Sequence, residues 1–155
     1  MPGRNELIST TELADILGQA DLRLFDCTTY LEPAPEGSGI PYIAVPGRHT
    51  FEAGHIPGAD FLDLQGEFSD PNTELRFMMP ATAALEAAFG RHGIGAGVRV
   101  VLYSIGTSMW ATRGCLPSGR NESEILLSTR LPSNFRMVRK NNPQVSPWAP
   151  ARLLR

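Results

Sequence analysis

The sequence predicts an α/β fold, a parallel sheet flanked by helices. Val98-Arg-Val-Val-Leu-Tyr103 is a nearly continuous apolar run rich in β-branched residues, the pattern of a strand buried on both faces. Leu22-Arg-Leu-Phe-Asp26 is a second short strand of the same kind. A stretch of helical spacing precedes each of them. Strands alternating with helices imply crossover connections and parallel pairing.

Each element has a local reason. Ser9-Thr-Thr-Glu12 has the spacing of a capping box, with Glu12 placed to reach back to the Ser9 amide. Leu13, Ile16 and Leu17 follow at helical spacing, and Gly18 can end the helix. After the strand ending at Asp26, residues 31–46 hold four Pro and two Gly, which reads as a surface loop. Pro57 and Gly58 suit the two central positions of a type II turn, and they deliver a short strand over residues 59–62. Residues 63–79 read as a second loop turning at Asp70-Pro71-Asn72. Pro80 suits a first helical position, and Leu85, Ala88 and Phe89 mark the buried face of the helix that follows. Arg91 and His92 suit its negative end and Gly93 its cap. Ser104 to Ser108 is a small polar loop, and Met109-Trp-Ala-Thr-Arg113 opens another helix.

Composition narrows the function classes. At 155 residues, 42% hydrophobic and 19% charged, the chain is a globular domain with a real core. No apolar run approaches the length of a membrane span, and the first residues lack the apolar core of a secretory signal. Two cysteines make no disulfide framework, so a reducing cytoplasm is expected. His49, His55 and His92 lack ligand spacing, so neither metal nor cofactor is expected.

The stretch Phe51-Glu-Ala-Gly-His55-Ile-Pro57-Gly58-Ala59-Asp60-Phe61-Leu62 resembles the N-terminal signature of the rhodanese-like (thiosulfate and 3-mercaptopyruvate sulfurtransferase) family. Phe51, His55, Pro57, Gly58 and Ala59 each fill a signature position. The resemblance extends to Val-Val-Leu-Tyr103, the glycine-containing loop and Met-Trp-Ala-Thr-Arg113, which are similar to the family's active-loop region. It implies sulfane sulfur transfer from a small donor, thiosulfate or 3-mercaptopyruvate, to a thiophilic acceptor. In active members a cysteine follows this strand, and loop amides lower its pKa and stabilise the charged sulfur. Ser104 stands at that position here, so the isolated chain is expected to be inactive. The amides of Ile105, Gly106, Thr107, Ser108 and Met109 are the expected anion cradle at the carboxyl end of the strand. Tandem members carry the cysteine only in their second domain, and this chain resembles the first.

Other groups invite simpler readings. Cys27, at the end of the first strand, is expected to be a small buried hydrophobe rather than a reactive thiol. Asp26 is expected to order loops, His55 to pin its own turn, and Arg48 to form a surface ion pair. Cys115-Leu-Pro-Ser-Gly-Arg120 imitates an anion loop, but no strand leads into it and Pro117 interrupts its amides.

The sequence changes character after Arg113. Residues 1–113 carry 7 Arg, no Lys and 14 acidic residues, whereas residues 114–155 carry 6 Arg, one Lys and 2 Glu. The resemblance stops at the same point. We expect an incomplete rhodanese-like domain over 1–113 and an atypical basic tail over 114–155, out of frame or disordered. The rivals are a genuine basic extension, a non-catalytic binding or regulatory module, and a non-functional gene fragment. The tail has no recognisable nucleic-acid motif, so no such partner is expected. The family's final strand is expected to be missing. An open slot between the first strand and the one ending at Tyr103 is expected to leave the domain marginal, with Ile125-Leu126-Leu127 the one segment able to fill it.

Overall fold

The computed structural model describes residues 7–107, 109–115 and 124–128. Helix α1 (Thr10–Ile16) begins with the complete capping box. The Ser9 side chain accepts from the Glu12 amide, and the Glu12 carboxylate accepts from the Ser9 amide at 2.9 Å. Strand β1 (Leu22–Asp26) has the predicted bounds. A helix forms over Arg48–Ala53, α2, followed by β4 (Ala59–Phe61), α3 (Thr82–Arg91), β5 (Arg99–Tyr103), α4 (Met109–Cys115) and β6 (Glu124–Ser128). The two strands β2 (Thr29–Pro33) and β3 (Tyr42–Pro46) precede α2.

The main sheet runs β4-β1-β5-β6, and every pair in it is parallel. Side-chain alternation along β1 and β5 builds two cores. Leu24, Val101 and Tyr103 face one side, where they pack with Leu13 of α1 and Ile56. Phe25, Val100 and Leu102 face the other, where Leu85, Ala88 and Phe89 of α3 and Trp110 of α4 cover them. The three buried residues expected on α3 are the three observed. Pro80 lies just outside that helix, whose N-cap is Ala81.

Two expectations are corrected. Residues 31–46 are not loop throughout, because β2 and β3 pair as an antiparallel ribbon from Thr29↔Pro46 to Pro33↔Tyr42. Both prolines sit at strand ends of a two-stranded ribbon, where a missing amide donor is tolerated, and Tyr30, Tyr42, Ile43 and Val45 favour extended backbone. The expected slot is also closed. β1 and β5 are direct neighbours from Leu22↔Arg99 to Asp26↔Tyr103, and β6 lies outside β5, paired from Arg99↔Glu124 to Tyr103↔Ser128. The apolar run at 125–127 has the composition of a strand, and an edge position needs pairing on one side only.

The segment 63–79 is an irregular loop with the predicted turn, where the Asn72 amide donates to Asp70 Oδ1 at 2.9 Å. Arg113 of α4 holds this loop by donating to the carbonyls of Phe68 at 3.2 Å and Phe77 at 2.9 Å. Phe77, whose φ is 58°, stacks on Trp110 with ring centroids 5.2 Å apart. Among the described residues, no helix is long and apolar enough to cross a membrane.

Candidate functional site

The loop after β5 leaves the carboxyl ends of the strands, whereas the signature turn leads into the amino end of β4, beside Leu22 and Leu24 of β1. The turn forms as its residues dictate. The Ala59 amide donates to the Ile56 carbonyl at 3.0 Å, and Gly58 takes a φ of 80°, the conformation glycine adopts without strain. His55 closes the turn from behind, with its Nδ1 2.7 Å from the Phe51 carbonyl. A carbonyl can only accept, so Nδ1 carries the proton. The rings of Phe51 and His55 stack at 3.9 Å and 13°, and Phe51 continues onto Phe61. Arg48 lies over the Phe61 ring at 4.8 Å, a cation–π contact, and forms no ion pair among the described residues.

Asp26 lies completely buried at the carboxyl end of β1. Its Oδ1 accepts from the Thr28 amide at 2.8 Å and from the Thr28 hydroxyl. The Thr28 hydroxyl in turn accepts from the Ile105 amide at 2.9 Å, across 77 positions of sequence. Asp26 also interacts with the hydroxyl of Tyr103, its register partner on β5. No hydrogen bond of ordinary geometry reaches Asp26 Oδ2. The Tyr103 hydroxyl accepts from the Ile56 amide at 3.3 Å and so touches the signature. Burial pushes the Asp26 carboxyl above the usual carboxylate range, against the opposing pull of Thr28, Tyr103 and His55. Burial likewise pushes the Tyr103 phenol up, and the neighbouring Asp26 carboxylate adds to the effect.

Ser104 is 7% exposed at the start of the loop, and its hydroxyl donates to the Thr107 carbonyl. Two of the five amides expected in the cradle are engaged locally. Ile105 donates to Thr28, and Met109 donates to the Thr107 hydroxyl at 3.2 Å. The amides of Gly106, at φ 82°, and Thr107 make no hydrogen bond among the described residues. Ser108 lies outside the described residues, as does the Cys115-to-Arg120 stretch beyond Cys115 itself. Cys27 is a fully buried thiol whose amide donates to the Tyr103 carbonyl at 2.8 Å, so its backbone belongs to the same junction. No three His, Cys, Asp or Glu side chains gather as a metal site among the described residues.

No protein-family model matches the chain. Among curated proteins it is 30% identical over 111 residues to a probable 3-mercaptopyruvate sulfurtransferase of Pseudomonas aeruginosa, covering 70% of this chain and 36% of that one. It is 34% identical over 82 residues to human 3-mercaptopyruvate sulfurtransferase, covering 53% of this chain and 24% of the human one. An Arabidopsis thaliana thiosulfate/3-mercaptopyruvate sulfurtransferase is 32% identical over 97 residues, with coverages of 63% and 25%. The chain therefore spans between 24% and 36% of the length of these relatives. The fold agrees with a 3-mercaptopyruvate enzyme of rhodanese fold from Escherichia coli, at TM-score 0.63 and 18% identity over 80% of this chain and 44% of that one. It agrees equally with 3-mercaptopyruvate sulfurtransferase from Leishmania major, at TM-score 0.64 and 18% identity over 83% and 33% of the two chains.

The chain belongs to the rhodanese-like sulfurtransferase family. In this rhodanese-like chain the loop after β5 is tied through Thr28 to Asp26 at the carboxyl end of β1, and the signature turn is tied to the Tyr103 hydroxyl. Sequence reading placed Asp26 among residues that order loops but missed Thr28 as the link between that carboxylate and the loop. A polar residue two positions past a strand end has no local signal of such a role. Tyr103 was more legible. A phenol that ends an apolar strand needs a hydrogen-bond partner when buried, and this one is fully buried. The reach of Arg113 to the 63–79 loop was also missed, since nothing near Arg113 in sequence names its acceptors.

Proposed function

We propose that this chain is the first, non-nucleophilic domain of a two-domain rhodanese-like sulfurtransferase acting on 3-mercaptopyruvate or thiosulfate. The observation that carries the reading is Ser104, which begins the loop after β5 with its hydroxyl committed to the Thr107 carbonyl. With 3-mercaptopyruvate, a thiolate at this position attacks the substrate sulfur. The carbon–sulfur bond breaks, its electron pair leaves as the enolate of pyruvate, and the sulfur stays as a persulfide. With thiosulfate, the same attack releases sulfite. A serine hydroxyl is too weak an acid to supply that nucleophile, and it forms no persulfide. The names of the curated relatives support the donor class, and the chain's partial span of those relatives supports a single domain of a larger enzyme. Two cysteines, too few for a disulfide framework, fit a reducing compartment such as the cytoplasm.

A non-catalytic binding module is the second reading, favoured by the local engagement of the Ile105 and Met109 amides. The discriminating experiment combines sulfur-transfer assay with intact-mass measurement on the wild type and on Ser104→Cys. The wild type should show negligible turnover with either donor. Ser104→Cys should gain the mass of one sulfur atom on exposure to donor, and lose it to cyanide. A Ser104→Cys chain that folds but never takes up sulfur favours the binding module. Turnover by a wild-type chain carrying Cys27→Ala and Cys115→Ala overturns the reading, because no sulfur carrier remains.

A further inference from the structure

The buried carboxylate at the end of β1 accepts from Thr28, and each of these hydrogen bonds has a defined direction. A hydroxyl has one proton. The Thr28 hydroxyl spends it on Asp26 Oδ1, which leaves its oxygen lone pairs facing the Ile105 amide at 2.9 Å. Removing the carboxylate leaves that proton without its acceptor, and the hydroxyl is then free to rotate its proton towards Ile105. The Thr28 amide, also on Oδ1 at 2.8 Å, fixes the carboxylate plane. On the other side, the Tyr103 hydroxyl accepts from the Ile56 amide.

We infer that Asp26 is the positioning residue of the site: through the Thr28 hydroxyl it sets the loop that begins at Ser104. The assignment rests on the loop after β5 being the reaction site. Asp26 itself is completely buried, so it acts on a ligand only through this link. The groups that face it are Thr28 from the segment after β1, Tyr103 from β5 and His55 from the signature. Ile105 is where the link ends, one residue past Ser104, so a displaced Thr28 displaces the site.

The link is tested by residue-resolved amide exchange on the full chain, with the Asp26 carboxyl followed by carbon-13 titration. Thr28→Val keeps the side-chain shape and removes the hydroxyl. It should speed exchange at Ile105 by about tenfold or more while leaving Ile56 unchanged. Thr28→Ser should restore protection at Ile105. Tyr103→Phe should speed exchange at Ile56 and leave Ile105 unchanged. Thr28→Val removes a hydrogen bond to the carboxylate, so it should move the Asp26 titration upward, which a purely space-filling role does not do. Unchanged exchange at Ile105 in Thr28→Val, failure of serine to rescue, or an Asp26 titration indifferent to Thr28→Val overturns the inference. Thr28→Ala, read by the same exchange and titration, decides it if Thr28→Val does not fold. None of these readouts involves sulfur transfer, so a loop that is positioned by Asp26 yet takes up no sulfur is distinguished from one that Asp26 does not position.

Discussion

Gly47→Ala tests the packing beneath the site. Gly47 is the N-cap of α2, and its amide donates to the Thr28 carbonyl at 2.8 Å. A Cβ at this position meets Thr28 Cγ2 at 2.8 Å, the Thr28 carbonyl oxygen at 2.8 Å and Thr28 Cβ at 2.9 Å. Its φ of −76° suits any residue, so the obstacle is contact and not backbone strain. Ordinary contact needs roughly 0.5–1 Å more room. The opposing atoms are backbone and a fully buried side chain, so they cannot simply turn away. Overpacking of this kind costs about 1–3 kcal/mol. A shift of Thr28 by that distance also stretches its 2.9 Å bond from Ile105 towards breaking, which adds about 1 kcal/mol. The expected total is about 2–4 kcal/mol, a large fraction of the about 5–15 kcal/mol that holds a domain together. Urea unfolding followed by circular dichroism measures it. Gly90→Ala serves as the control, because a Cβ there meets nothing within 4 Å and alanine is the better helix former. The control should gain about 0.5–1 kcal/mol. A Gly47→Ala chain within about 0.5 kcal/mol of wild type would show that Thr28 is not held as tightly as these distances require.

Two further outcomes follow from burial. Because the folded chain raises the Asp26 pKa above its unfolded value, the native state holds that proton more tightly than the unfolded state does. This contribution therefore makes the chain lose stability as pH rises through the unfolded pKa and up to the folded one. It gives the stability back on acidification through the same window. Unfolding free energy measured against pH, wild type minus Asp26→Asn, should fall with rising pH in the acidic range and then level off; a flat difference contradicts the burial argument. Leu13→Ala should cost about 2–5 kcal/mol by the same urea assay, since Leu13 is the one buried residue of α1 and is completely enclosed with Leu24, Ile56, Val101 and Tyr103. A cost below about 1 kcal/mol would mean that α1 is not docked through this side chain.

What sequence could show here was what local chemistry determines. The capping box at Ser9, the strand ending at Asp26, the α3 face of Leu85, Ala88 and Phe89 and the Pro57-Gly58 turn depend on neighbours within a few positions, and all four are observed. The β2–β3 ribbon was hidden because its prolines argue for loop, and only strand-end placement makes them harmless. Helix α2 was hidden inside a motif read for its turn, with no side-chain cap to announce it. The engagement of the Ile105 amide depends on Thr28, which becomes its neighbour only when β1 and β5 pair. Long-range hydrogen bonds leave no periodic trace, so the site's residues were more legible than its wiring.

That wiring has a consequence in time. Strand β1 pairs with β4 across a separation of 35 positions, from Leu24 to Ala59, but with β5 across 77, from Leu22 to Arg99. Closing the longer loop costs more chain entropy, and contacts of such separation form slowly. On a ribosome adding about 5–20 residues per second, the last 77 residues before Arg99 take about 4–15 s to appear. Throughout that interval one edge of β1 is without its partner, and Asp26 lacks both the Tyr103 hydroxyl and the link through Thr28 to Ile105. The carboxylate at the end of β1 is synthesised long before it acquires its surroundings. During synthesis the nascent chain carries a solvated, ordinary aspartate there, and the burial that raises its pKa arrives only with β5.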